Sequence, residues 1–284
     1  MRILITGSSG MLGQDLAARL APRHEVVPAD LPDADITNLD LVHRAFSKTK
    51  LDAVIHAAAF TSVDDCERRP DLAFKVNAEG TRNVALACRH ASLPMLYVST
   101  DYVFDGKKLT PYEEDDLPNP LNAYGRSKLE GERHVRELLE APWIVRTSWL
   151  FGPLGKNFVR TILQRAQLGE SLRVVDDQVG APTYTVDLAE KLEEIVMRGN
   201  PGIYHVTNRG WCSWFGFARE ILRQAGLGQV PLCAIPTSAS DRPALRPQNS
   251  RLAPTRLESE GLGLLPPWQD ALTRYLLREG KEQG

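Results

Sequence analysis

Long hydrophobic runs, paired cysteines and an excess of either charge are all missing from this sequence. No stretch approaches the ~20 consecutive apolar residues of a bilayer-spanning helix, so no membrane association is expected. The first apolar run begins at Met1, which leaves no room for a signal peptide ahead of it. Cys66, Cys88, Cys212 and Cys233 show neither a CxxC pair nor metal-ligand spacing, and the expectation is reduced thiols in the cytoplasm, mostly as small buried hydrophobes. With 34 Lys and Arg against 36 Asp and Glu, the formal net charge of −2 gives no reason to propose nucleic acid as a partner. Internal repeats and low-complexity segments are absent as well. What is there is a chain of 284 residues, 43% hydrophobic and 25% charged, long enough for one large α/β domain or two modest ones.

The chain is organised around its first 30 residues. Arg2-Ile3-Leu4-Ile5-Thr6 breaks into glycines three apart, Gly7, Gly10 and Gly13, and continues as the helix-like Leu16-Ala17-Ala18-Arg19-Leu20. This reads as strand, phosphate loop and helix. Gly7 permits a sharp turn, Gly10 lets backbone approach a pyrophosphate, and Gly13 lets the helix pack closely on the strand, with the helix N-terminus facing the phosphates. Glu25 to Asp30 reads as the next strand, ending in a carboxylate suited to the adenosine ribose, and Asp35-Ile36 is placed to flank the adenine. The spacing is GxxGxxG rather than GxGxxG, so an ordinary glycine turn in a βα unit is the competing reading.

Strand-like and helix-like segments then alternate, the pattern of a doubly wound parallel sheet covered on both faces. A helix over about Leu39 to Lys48 is capped by Thr37 or Asn38. A strand over Asp52 to Ala59 ends in small residues, consistent with a flat ligand or with tight helix packing. Pro70 to His90 reads as a long helix and Pro94 to Thr100 as a buried strand with hydroxyls at its end.

Tyr124 and Lys128 lie four apart on a helix from Ala123 to Leu139 and so share a face. That pairing suits reduction of a carbonyl, in which a cofactor carries hydride while the protein gives a proton and holds the substrate oxygen. A tyrosine titrates at about 10, and a nearby Lys128 ammonium would stabilise its phenolate. Thr100 would hydrogen-bond the developing alkoxide.

Together, Thr6 to Gly13, Ala57-Ala58-Ala59, Thr100 and Tyr124/Lys128 resemble the extended short-chain dehydrogenase/reductases. Ser99 to Gly106, Arg146-Thr147-Ser148-Trp149, Asp177 to Thr183 and Arg246 to Leu252 resemble, more narrowly, the dTDP-4-dehydrorhamnose reductase family. The resemblance implies catalytic roles for Thr100, Tyr124 and Lys128, with Tyr124 as proton donor. It implies a cofactor site around Gly7, Gly10, Met11, Leu12, Gly13, Asp30, Asp35, Ile36, Ala59, Phe60 and Thr61, with Tyr124 and Lys128 at its reacting end, and a sugar pocket of Thr100, Asp101 and Trp149. The substrate implied is a dTDP-linked 4-keto-6-deoxy sugar and the product dTDP-L-rhamnose. His56 stands where the family often has asparagine. A dehydratase or epimerase of the same superfamily is disfavoured, because dehydratases carry Thr-Asp-Glu where this chain has Thr100-Asp101-Tyr102. The regulatory subunit of methionine adenosyltransferase, which binds NADP, is a non-enzyme alternative.

Asp30 would repel a 2′-phosphate, so NADH is expected as cofactor with NADPH tolerated. Some family members bind Mg²⁺ at an acidic subunit interface, but no such ligand set is identified here, and the homodimer common in the superfamily is likewise not marked by any residue pattern. Residues 1–150 are assigned to an NAD(P)-binding Rossmann domain, and 151–284 mainly to a smaller nucleotide-sugar domain that returns some segments to the sheet. In that second part, Trp143 to Thr147, Leu172 to Asp176 and Ile203 to Thr207 read as strands. Asn157 to Leu168, a segment whose first residues include Asp187, Trp214 to Gln224 capped by Ser213, and Pro266 to Lys281 read as helices. Trp211, Trp214 and Phe215 are read as core rather than as a base-stacking face. Arg242, Arg246 and Arg251, in a long ordered loop from Pro236 to Pro254, are candidates for a nucleotide diphosphate or for solvated charges.

Overall fold

The computed structural model describes residues 1–282. Among them, β1 (Arg2–Thr6), β2 (Glu25–Ala29), β3 (Ala53–His56), β4 (Met95–Thr100), β5 (Trp143–Thr147) and Gly202–His205 form one sheet, in the order β2, β1, β3, β4, β5, Gly202–His205. Every pairing in it is parallel. Helices cover both faces, which is why the strands read as unbroken apolar runs. On one side, α1 (Met11–Leu20) and the helix Thr185–Arg198 share a core with Ile3, Ile5, Ile55 and Val145. On the other, Leu39–Ser47, Thr81–His90 and Ala123–Leu138 pack with Leu4, Val54, Tyr97 and Ile144. Pro28 is accommodated because β2 is an edge strand, where a missing N–H costs little.

The chain leaves β1 for β2 on one side and returns to β3 on the other, so a crevice opens beyond the carboxyl ends of β1 and β3. β3 is shorter than the sequence implied. The Ala57 amide makes the last rung to the Thr6 carbonyl at 3.2 Å, and Ala58 and Ala59 then diverge along the crevice. The expected Pro70 to His90 helix is continuous but widened by a π turn over Lys75–Gly80 between α segments Pro70–Phe74 and Thr81–His90. Of the two cap candidates, Asn38 caps Leu39–Ser47, accepting from the Asp40 and Leu41 amides.

A third core gathers the helices Phe158–Gln167, Trp214–Gln224 and Trp268–Glu282 around Phe151, Val159, Phe217, Leu272 and Tyr275. Asp187, in the first turn of Thr185–Arg198, receives the forked Arg274 guanidinium at 2.6 and 2.7 Å and so ties the last helix to the body. No helix among the described residues is long and apolar enough to cross a membrane.

Candidate active site

A cavity of about 860 Å³ runs along the crevice, and its wall begins at the turn after β1. Gly7 turns there with φ +70°, and a Cβ on it would stand 2.7 Å from the Ala58 backbone. A Cβ on Gly13 would stand 2.0 Å from the Gly7 carbonyl, so only glycine lets α1 start this close to the turn. Gly10, the N-cap of α1, supplies no side-chain cap, and Gly10, Met11, Leu12 and Gly13 all line the cavity. An open helix start of this kind is a seat for phosphate. Asp30 lies beside it, accepting from the Ser9 amide at 2.8 Å, the Ser9 hydroxyl and the Leu31 amide. Burial works against its charge, but these donors outweigh it and hold the carboxylate below its ordinary range. Asp35, Ile36, Ala59 and Thr61 complete this part of the lining, and the residues present fit a dinucleotide.

Phe60 is the exception among the expected cofactor residues. Its side chain packs with Cys66, Ala73 and Ala123 rather than lining the cavity. Its backbone is gripped by Asn77, which accepts from the Phe60 amide at 2.7 Å and donates to the Phe60 carbonyl at 3.0 Å. The same Asn77 amide group donates to Ser127 Oγ at 3.0 Å, between Tyr124 and Lys128 on the next helix. Asn77 sits in the π turn, and the sequence offered no sign that this turn would couple two parts of the site.

β4 and Ala123–Leu138 bring Thr100, Asp101, Tyr124 and Lys128 into one lining. Asn122 caps that helix through the Gly125 amide at 2.8 Å, which fixes where Tyr124 stands. Burial pushes the Tyr124 phenol above its ordinary range, with a hydrogen bond to the Thr100 hydroxyl opposing. The expected depression of Tyr124 by Lys128 is not what dominates here. Burial instead pushes Lys128 itself down to about 7, against the charge of Glu132, and its Nζ donates to the Val98 carbonyl at 2.8 Å and lies 4.1 Å from the Tyr97 ring centre. Desolvation is the largest influence on both groups. Asp101 is likewise raised by burial to about 7, although the Ser250 and Thr100 hydroxyls favour its charged form.

His56 makes a structural bridge behind the crevice. Its Nδ1 is 2.6 Å from Thr6 Oγ1, its Nε2 is 3.0 Å from Thr81 Oγ1, and burial followed by the Lys128 charge pushes it down to about 3, so it is neutral. Glu132, one turn beyond Lys128, receives Ser99 Oγ at 2.5 Å and the Arg146 guanidinium at 3.0 and 2.8 Å, all buried.

Trp149 lines the cavity as expected for a sugar contact, with φ +47°, a backbone state that costs about 1–2 kcal/mol in a non-glycine residue. Trp214 lines it too, stacked on Trp149, which corrects the reading of Trp214 as simple core. Phe215 is half-buried in the third core, and Trp211 is exposed beneath the Arg251 guanidinium. The loop arginines do not line the cavity. Arg242 and Arg246 reach Asp64 at 3.1 and 2.9 Å, and Arg251 donates to the Leu109 carbonyl and to Asn249. A carboxylate within reach captures a guanidinium fork that the sequence could not place. Among the described residues, no three His, Cys, Asp or Glu side chains converge as on a metal ion.

A family model described as the RmlD substrate binding domain matches residues 1–280. The chain belongs to this family. It is 43% identical to a dTDP-4-dehydrorhamnose reductase from Aggregatibacter actinomycetemcomitans, over 95% of this chain and 97% of that protein. It is 38% identical to a dTDP-4-keto-6-deoxy-D-glucose reductase from Streptomyces niveus, over 96% of each. Among solved structures, dTDP-4-dehydrorhamnose reductase from Bacillus anthracis in complex with NADP matches with a TM-score of 0.95 and 38% identity, over 98% of this chain and 99% of that one. Membership bears out both the resemblance drawn from the motifs and the doubly wound α/β fold.

Proposed function

We propose that this protein uses NADH or NADPH to reduce the C4 ketone of dTDP-4-dehydrorhamnose, giving dTDP-L-rhamnose. The observation that carries the reading is that Thr100, Tyr124 and Lys128 share one cavity with the glycine-built start of α1, in a chain of this family. A bound nicotinamide supplies the hydride. The chain's own residues manage oxygen and proton. Tyr124, held protonated at neutral pH by burial, gives its proton to the alkoxide that develops at C4, a far stronger base than a phenolate. Thr100, hydrogen-bonded to Tyr124, steadies the same oxygen. Lys128, pushed down to about 7 by burial, is partly protonated at neutral pH, and its ammonium form stabilises the phenolate left behind.

Asp30 favours NADH, and the NADP complex of the Bacillus anthracis relative supports NADPH as an accepted alternative. Residues 1–150 hold the dinucleotide and 151–284 mainly the nucleotide sugar, a division supported by Trp149 and Trp214 reaching the cavity from around that boundary and beyond it. A cytoplasmic setting goes with this chemistry. A second reading, reduction of another dTDP-4-keto-6-deoxy sugar, is favoured by the name of the Streptomyces niveus relative.

The test follows NADH and NADPH oxidation with dTDP-4-dehydrorhamnose for the wild type and Tyr124→Phe. Turnover is expected, with kcat in the variant lower by roughly 10²–10⁴-fold. Reduction of a different dTDP-4-ketosugar alone would install the second reading. Cofactor binding with no ketosugar reduced would remove the enzyme assignment.

A further inference from the structure

Asp30 is more heavily engaged than a carboxylate left open for a ligand would be. Its Oδ2 accepts from both the amide and the hydroxyl of Ser9, and its Oδ1 accepts from the Leu31 amide. An ionised carboxylate offers about four lone-pair sites. The protein fills three of them, and the fourth, on Oδ1, is left for one donor. Ser9 is itself held in place. It lies in the loop that the Gly10 amide closes onto the Gly7 carbonyl at 3.0 Å, and Gln14, in the first turns of α1, donates to the Ser9 carbonyl at 2.7 Å. Ser9 and Asp30 both line the large cavity.

Space is not scarce at this end of the site. A second cavity of about 230 Å³ adjoins the first and shares Asp30, Leu31 and Ala34 with it. Its lining carries the carboxylates of Asp30 and Asp33 against the ammonium of Lys48. The bar to a phosphate here is therefore charge rather than room.

We propose that Ser9 is a specificity-determining residue, which fixes the Asp30 carboxylate where it accepts a hydroxyl of the adenosine ribose and repels a 2′-phosphate. The inference deepens the functional reading given above and rests on its dinucleotide site. An unphosphorylated ribose brings the one donor for which Asp30 still has a lone pair. A 2′-phosphate brings acceptor oxygens and close to two negative charges at neutral pH. A carboxylate tied only to its own neighbour in the chain would turn away from that charge. Tied to the amide and hydroxyl of Ser9 as well, it stays. The same clamp hides an opposite capacity, because the Ser9 hydroxyl and amide are anion donors that Asp30 now occupies. With the carboxylate gone, they face a phosphate instead.

The experiment titrates NADH and NADPH separately, by cofactor fluorescence and without sugar nucleotide, into wild type, Ser9→Ala, Ser9→Thr, Asp30→Ala and the Ser9→Ala/Asp30→Ala double variant. Wild type should bind NADH about tenfold more tightly than NADPH, a preference that shrinks as salt is raised. Ser9→Ala should cut the preference about threefold, Ser9→Thr should keep it, and Asp30→Ala should abolish or invert it. The double variant decides the matter. Beside Asp30, loss of the Ser9 hydroxyl favours NADPH; in the Asp30→Ala background the same loss should weaken NADPH about threefold and leave NADH unaltered. An unchanged preference in Ser9→Ala overturns the inference. So does an equal loss of both dinucleotides, the mark of a merely structural loop, or a Ser9 effect of the same sign in both backgrounds. Wild type that binds the two equally, or NADPH more tightly, also overturns it and leaves the reductase reading standing. Wild type that binds neither dinucleotide overturns the functional reading, and the inference with it.

Discussion

Two turns at the ends of parallel strands line the same cavity, and both require a left-handed backbone. After β1 the requirement falls on Gly7, at φ +70°, and after β5 it falls on Trp149, at φ +47°. In the first case the backbone matters and the side chain would be in the way, because a Cβ would meet Ala58 at 2.7 Å. In the second the side chain is wanted in the cavity, and the strain is met by contacts from Thr183, Gly180 and Trp214. A conformational demand is visible in sequence when it forces the choice of residue. It is invisible when the fold supplies the restraint.

The comparison can be pressed hardest beneath the Trp149 turn. Arg146, on β5, is buried against Glu132 of the Tyr124 helix. Glu132→Ala leaves that guanidinium without its partner and is expected to destabilise the fold by about 3–5 kcal/mol, read from urea unfolding. A loss below about 1 kcal/mol would mean that β5 and the Trp149 turn do not depend on this pair.

Asp101 lies on the cavity lining with both turns. Its pKa, raised from an ordinary carboxyl value to about 7, makes its contribution to stability greatest under acid conditions. Between those two values the unfolded chain releases the proton and the folded chain keeps it, so wild-type stability should decline as pH rises from about 4 to about 7. Asp101→Asn, which cannot ionise, should remove that decline and gain up to a few kcal/mol over wild type across the window. Unfolding curves at about pH 4.5 and about pH 7.5 test this, and a pH-independent difference between the two proteins would refute it.

On the glycine side, Gly13→Ala places a methyl against the Gly7 carbonyl and is expected to cost about 1–3 kcal/mol in stability while weakening NAD(P)H binding, measured by cofactor fluorescence. Unaltered binding would show that the turn has more slack than its contacts imply. The smallest effect belongs to Arg246→Ala. Its partner Asp64 lies off the cavity and the pair is only partly exposed, so a loss of about 1–2 kcal/mol and an unchanged sugar-nucleotide KM are expected. A clear rise in that KM would restore the diphosphate role first considered for this loop.

Legibility followed the same division. The strands of the main sheet, α1, the Tyr124/Lys128 pair and the Asn38 and Ser213 caps could be read because each rests on local rules: unbroken apolar runs, helical spacing, or a side-chain oxygen meeting a nearby amide. The π turn, the Asn77 grip on Phe60 and the pairing of Arg242 and Arg246 with Asp64 could not. The Asn77 and arginine contacts join residues 17 to 182 apart in the chain, where many partners were chemically acceptable.

By itself, then, the sequence determined the order of elements, the glycine turn after β1 and the shared helix face of Tyr124 and Lys128, since these follow from steric exclusion and short-range spacing. Only the tertiary structure decided the ionisation and orientation of those residues. Burial sets the titration of Tyr124, Lys128 and Asp101, and packing against Trp214 and Gly180 sets the pose of Trp149. Desolvation and packing depend on everything that surrounds a group in three dimensions.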